Sequence, residues 1–253
     1  MGPSSSANLE NLVILKGVVA RDEWKVKLPH FPHIRKLGVF IDSDIDWEAL
    51  TNSMAKLEHL DYLSVTGDRY AVFTPGLETV TDPQWYRYTP AFRSYKQLRS
   101  LRLNYSWPRN IVCDSSFFPP HLVKLTLKNS YLEQDVLSEL KKLPSLKVLR
   151  MLDFSYSGKR LVFYAKGFKS LQLLKLSCLL NLQELKVEEG AMPMLNLLKI
   201  RYCIQLEMVP DLQYLTNLRE LKLREMSDEF MSKLKGVDRQ KVEHIPSVSL
   251  KRH

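Results

Sequence analysis

The chain has 253 residues, 45% hydrophobic and 26% charged, which fits one extended repeat domain or at most two small globular ones and excludes a disordered tail. No apolar run is long enough for a membrane-spanning helix, and the start Met1-Gly2-Pro3-Ser4-Ser5-Ser6 lacks the charged and apolar regions of a secretory signal. Net charge is +9, and three cysteines at unmatched spacings (Cys113, Cys178, Cys203) give neither a disulfide framework nor a zinc site, so a reducing, cytoplasmic setting is expected.

Along the chain, one pattern recurs: L-x-x-L-x-x-L-x-L, with other apolar residues standing in for Leu. After a flexible tail expected at 1–8, weaker copies open the series at Leu9/Leu12/Leu15 and Phe31/Ile34/Leu37/Val39. Clear copies follow at Leu57/Leu60/Leu63/Val65 and Tyr95/Leu98/Leu101/Leu103, then a short one at Leu122/Leu125/Leu127. The remaining four are Leu143/Leu146/Leu149/Met151, Phe168/Leu171/Leu174/Leu176, Leu195/Leu198/Ile200 and Leu215/Leu218/Leu221/Leu223. The third apolar position falls at 15, 37, 63, 101, 125, 149, 174, 198 and 221, with steps of 22 to 26 except for one of 38. Repeats of this period build leucine-rich-repeat solenoids. The L-x-L piece is a strand whose period of two sends both leucines to one side, and one repeat cannot bury that side without neighbours. The expected fold is therefore an α/β horseshoe of about nine repeats over 9–224, with a parallel concave sheet and an irregular or helical convex side. Helical clusters do not explain the pattern, because L-x-L is a strand period and prolines recur between the clusters.

The long step contains an insertion at about 66–91, with Tyr70, Phe73, Trp85, Tyr86 and Tyr88 among Pro75, Pro83 and Pro90. It is either a partner-binding loop or aromatic packing on the convex side, packing being the preferred reading. After Leu223 the repeat stops, and 225–253, with the amphipathic stretch Phe230-Met231-Ser232-Lys233-Leu234, reads as a C-terminal capping segment. No comparable cap precedes Leu9, so the chain is expected to be the end of a longer protein and to be prone to aggregation alone.

Charge is unevenly spread. Residues 41–82 hold nine acidic residues against two basic, and 141–176 hold nine basic against one acidic. In each strand the residue between the two leucines points to the concave face: Gly38, Ser64, Arg102, Thr126, Arg150, Lys175, Lys199 and Lys222. Two residues further on, that face carries Asn104, Lys128, Leu152, Ser177, Arg201 and Arg224. The candidate binding surface is thus Arg102, Lys128, Arg150, Lys175, Lys199, Arg201, Lys222 and Arg224, with Tyr105 and Tyr202 as flanking amphipathic anchors. An ordinary solvated basic face is an equally good reading of the same residues.

Catalysis finds no support. The six histidines form no H-E-x-x-H, no G-x-S-x-G elbow occurs, and Asp42/Asp44/Asp46 lacks the Gly and closing Glu of a calcium loop. No enzyme activity, metal or cofactor is expected.

Two C-terminal stretches, Leu185-Lys186-Val187-Glu188-Glu189-Gly190-Ala191-Met192-Pro193 and Val242-Glu243-His244-Ile245-Pro246-Ser247-Val248, carry a more specific likeness. With Leu215-Thr216-Asn217-Leu218-Arg219-Glu220-Leu221 they resemble the C-terminal region of plant coiled-coil, nucleotide-binding, leucine-rich-repeat disease resistance proteins. The resemblance spans most of the chain and is most specific from about residue 168. It implies a recognition and autoinhibitory module in the defense response, binding a pathogen effector, a host target or the receptor's own nucleotide-binding domain. No G-x-x-x-x-G-K-[ST] is present, so nucleotide binding does not carry over. The alternatives are a basic solenoid that binds nucleic acid, which is disfavoured because aromatics do not interleave the basic column, and a truncated fragment without its own role. A membrane partner is not expected.

Overall fold

The computed structural model describes residues 11–21, 27–41, 47–67, 92–105 and 117–251. The tail at 1–8, Cys113, the Asp42/Asp44/Asp46 turn and the insertion beyond Gly67 lie outside them.

Ten strands line up in one parallel sheet. In chain order they are β1 (Ile14–Ala20), β2 (Lys36–Ile41), β3 (Tyr62–Gly67), β4 (Ser100–Asn104), β5 (Lys124–Lys128) and β6 (Val148–Leu152), then β8 (Leu173–Ser177), β10 (Leu197–Arg201), β11 (Glu220–Arg224) and β12 (Ser247–Lys251). The register is uniform: Leu15, Leu37, Leu63, Leu101, Leu125, Leu149, Leu174, Leu198 and Leu221 stand side by side, one per strand. These are the nine anchors read from the sequence. From Leu57 onward the apolar positions of the repeats are each at most 4% exposed, so the strand period and the return turn feed one continuous core.

The first repeat has a local irregularity with a visible cause. Leu15 pairs with Leu37 but Val18 with Val39, and Gly17 in between sits at φ 75. The extra residue is a bulge in the left-handed region that glycine enters without penalty. Val18, not residue 17, therefore takes the fourth apolar place, which is why this copy of the repeat is short in the sequence.

Between strands the chain returns through helical turns, among them α1 (Trp47–Ala55), α2 (Gln134–Leu140) and α3 (Asp228–Lys235). Two returns instead form strands. These are β7 (Arg160–Phe163) and β9 (Glu184–Val187), a separate parallel pair joined by an Arg160–Glu184 ion pair of 3.0 Å, with Leu161, Phe163, Leu185 and Val187 buried. This small sheet adds to the irregular and helical returns expected on that side.

Segment 225–251 contributes both a helix and a tenth strand beyond the nine repeats counted in the sequence. In α3 the Ser227 hydroxyl accepts the Phe230 N–H, acidic Asp228 and Glu229 occupy the first turn and Lys233 and Lys235 the last, favouring the helix through its dipole. Phe230, Met231 and Leu234 are buried. In β12, Val248 and Leu250 continue the leucine columns of β11 but remain 38% exposed. The L-x-L spacing of β12 is Val248-Ser249-Leu250, and buried Val242 and Ile245 hold the two turn positions before it, joined by an Ile245 N–H bond to the Val242 carbonyl.

Candidate binding face

The side of the sheet opposite the core carries three columns, set by the same register that stacks the leucines. The central column runs Gly38, Ser64, Arg102, Thr126, Arg150, Lys175, Lys199, Lys222, Ser249. On one flank run Thr66, Asn104, Lys128, Leu152, Ser177, Arg201, Arg224 and Lys251. On the other are Lys36, Tyr62, Ser100, Lys124, Val148, Leu173, Leu197, Glu220 and Ser247. The eight cations picked out by spacing therefore share one face, with neighbours along a column ~4.8 Å apart.

They are not electrostatically equal. Lys128 Nζ lies 2.6 Å from Asp153, Arg201 Nη2 lies 3.0 Å from Glu225, and Lys222 Nζ lies 2.6 Å from Glu220. Among the described residues Arg102, Arg150, Lys175, Lys199 and Arg224 have no carboxylate at ion-pair distance. The Nε of Arg150 is buried without an acceptor, an unsatisfied charged donor in the middle of the face.

The cations act on one another. Partial burial lowers the pKa of Lys175, and the charges of Arg150, Lys199 and Arg201 lower it further, against the opposing pull of Asp153. Lys124 is lowered by burial and then by Arg150 and Arg102. For Asp153, burial works to raise the pKa, but hydrogen bonds to Lys128 and Cys178 and the charges of Lys128 and Lys175 outweigh it and leave it lowered. Asp153 is thus held ionised by the cations it offsets.

The two tyrosines part company, and this corrects the reading of Tyr105 as a surface anchor. Tyr105 is 3% exposed: it follows Leu101 and Leu103 at the inward parity of β4 and enters the core. Tyr202 holds the equivalent repeat position but sits at φ 51 and is 38% exposed, because the chain leaves β10 through a left-handed residue. Asn129, Asp153, Cys178 and Glu225 do the same after their strands, at φ 51, 31, 55 and 52. In chain order, Asn129, Asp153, Cys178, Tyr202 and Glu225 donate their backbone N–H groups to the carbonyls of Asp153, Ser177, Arg201, Arg224 and Lys251, each in the following repeat. The rung at each strand exit thereby locks adjacent repeats together.

Spacing alone did not reveal the carboxylates at 153, 220 and 225 as partners, nor the half-buried apolar run Val148, Leu173, Leu197 beside the cations. The signal for that run was the doubled apolar residue opening three strands: Val148-Leu149, Leu173-Leu174 and Leu197-Leu198. Cys178 and Cys203 follow adjacent strands, and burial pushes the Cys203 thiol up to about 12. Among the described residues no group of three or more His, Cys, Asp or Glu side chains is placed to hold a metal, and no helix is long and apolar enough to cross a membrane.

Residues 2–223 match a family described as a leucine-rich repeat region. The chain is also similar to curated proteins of Arabidopsis thaliana. It is 36% identical over 218 residues to a probable disease resistance RPP8-like protein 4, covering 85% of this chain and 23% of that protein. It is 34% identical over 245 residues to disease resistance protein RPP8, covering 95% and 26%. Against disease resistance protein RPH8A the identity is 33% over 246 residues, covering 95% and 26%. The chain spans about a quarter of the length of these relatives.

Proposed function

The chain belongs to the leucine-rich-repeat family, and from that premise we propose that it is the recognition and autoinhibitory module of a plant intracellular immune receptor. It acts by binding, without catalysis, and works in the cytoplasm. The observation that carries this reading is the in-register column Arg150, Lys175, Lys199, unneutralised among the described residues on an open sheet face. Such a column suits an acidic protein surface, belonging to a pathogen protein, a host target or the receptor's own nucleotide-binding domain. Restraint and release then follow from differential binding: the face holds the inactive arrangement, and a competing ligand shifts the population away from it.

The test is charge reversal of Arg150, Lys175 and Lys199 together. Capture of the isolated nucleotide-binding domain of the receptor is expected to be salt-sensitive and to be lost in the triple variant, with receptor restraint lost alongside it. Binding and restraint that both survive the reversal overturn the reading.

The net charge of +9 and the same column favour nucleic acid as a second reading. It requires affinity for a nucleic acid to fall steeply and linearly with log salt. The apolar run beside the cations argues for a protein ligand instead, since a phosphate backbone offers nothing to cover it.

A further inference from the structure

The open face is amphipathic as well as basic, and its two columns have different chemistry at a fixed spacing. On β6, β8 and β10, Val148, Leu173 and Leu197 form one row, and Arg150, Lys175 and Lys199 form the next. Two residues along a strand separate the rows by ~6.7 Å. The apolar row ends at Lys124 on one side and Glu220 on the other, so it is a bounded patch three strands wide. Its side chains are half-buried, which leaves apolar surface for a partner to cover.

The spacing selects the form of the partner. Three strands place three contacts across ~9.6 Å. Two turns of an α-helix span ~10.8 Å, whereas an extended chain presenting alternate residues to one face needs about 13.4 Å. A helix laid across the strands therefore meets all three rungs with little mismatch.

We propose that this face binds an acidic amphipathic α-helix of a protein partner, its apolar stripe covering Val148, Leu173 and Leu197 and its carboxylates meeting Arg150, Lys175 and Lys199. The inference rests on the face being a protein-binding surface and adds the chemistry and shape of what it takes. On such a helix the apolar residues fall at i, i+4 and i+7, and the carboxylates on the adjoining stripe at i+1, i+5 and i+8. The carboxylates also supply counter-charges to a row in which, among the described residues, none lies at ion-pair distance.

The experiment uses the 253-residue chain and a stapled helical peptide of about 12 residues with Leu at i, i+4 and i+7 and Glu at i+1, i+5 and i+8. Fluorescence anisotropy measures binding at low and moderate salt. Replacing the three glutamates with Gln is expected to weaken binding by about tenfold or more at low salt. Leu173→Ser with Leu197→Ser is expected to weaken it about tenfold as well, provided circular dichroism shows the chain still folded. If that variant does not fold, Lys175→Met, on the solvent side of the same strand, carries the test through loss of the glutamate dependence. Absence of binding by the patterned peptide overturns the proposal, and so does equal binding by the Gln peptide. Equal binding by a peptide of the same composition in scrambled order overturns it too, because the face is then only a polyanion sink. Capture of the nucleotide-binding domain that is still lost on charge reversal, without any binding of the patterned peptide, sinks this inference alone. Loss of both findings removes the parent reading as well.

Discussion

Neutralising the acids that shadow the basic face should strengthen binding of an acidic ligand. Asp153→Asn removes the carboxylate 2.6 Å from Lys128 while keeping a residue type that tolerates the left-handed φ of 31. Glu225→Gln does the same beside Arg201, where the pair is 3.0 Å apart. A unit charge freed to act on a ligand carboxylate at ~4 Å contributes about 1 kcal/mol in water, or about fivefold in affinity at low salt, and less as salt screens it. Stability moves the other way. The Lys128 and Asp153 side chains are 25% and 35% exposed, so their pair is worth at most about 1 kcal/mol after solvent screening. Asp153 has a lowered pKa, so its contribution is present above the ordinary aspartate value of ~3.9 and is lost as pH falls through the lower folded-state value. Anisotropy titrations against the glutamate peptide at two salt concentrations, with melting curves from pH 7 to pH 2, check both halves. Weaker or unchanged peptide binding in a folded Asp153→Asn chain would refute the electrostatic reasoning. So would a stability gap between variant and parent that persists at the acid end.

Leu174→Ala, at an anchor 1% exposed between β6 and β10, should destabilise the chain by about 2–5 kcal/mol, read as a lower urea midpoint with unchanged ligand chemistry. Tyr202→Gly relieves a side chain held at φ 51 and should raise stability by a few tenths to about 1 kcal/mol; a lower melting temperature would show that the exposed ring makes contacts worth more than the backbone strain. Cys203, fully buried with its thiol pushed up to about 12, should resist alkylation at pH 8 until the chain unfolds, and mass spectrometry that finds it labelled in the native state contradicts the packing of this repeat.

The core was legible because a solenoid makes the same demand in every repeat. An L-x-L strand beside another L-x-L strand leaves no freedom in which residues face in, so the nine anchors read from spacing are the nine that stand side by side. What was not legible depends on departures from the repeat. Gly17 bulges β1 and moves the fourth apolar place by one residue. β12 completes the sheet as part of a tenth copy, Val242/Ile245/Val248/Leu250, in which a single leucine among four apolar residues makes the repeat hard to see. Tyr105 and Tyr202 each follow the last residue of their strand and differ in burial, because the chain turns through a left-handed φ of 51 at Tyr202 and not at Tyr105.

The open face is where such departures accumulate, since nothing in the core constrains it. Stacking fixes only the ~4.8 Å interval at which its side chains recur. A row of like charges at that interval is mildly unfavourable, about 1 kcal/mol per neighbouring pair in water and less in salt, so it adds no stability to the fold. Carboxylates pair directly with Lys128, Arg201 and Lys222, while among the described residues none lies at ion-pair distance from Arg150, Lys175 and Lys199, which stand beside three half-buried apolar residues. Packing explains neither the cations without an ion-pair partner nor the apolar row next to them. A ligand that supplies carboxylates and an apolar stripe together explains both on β6, β8 and β10, where the two rows run side by side.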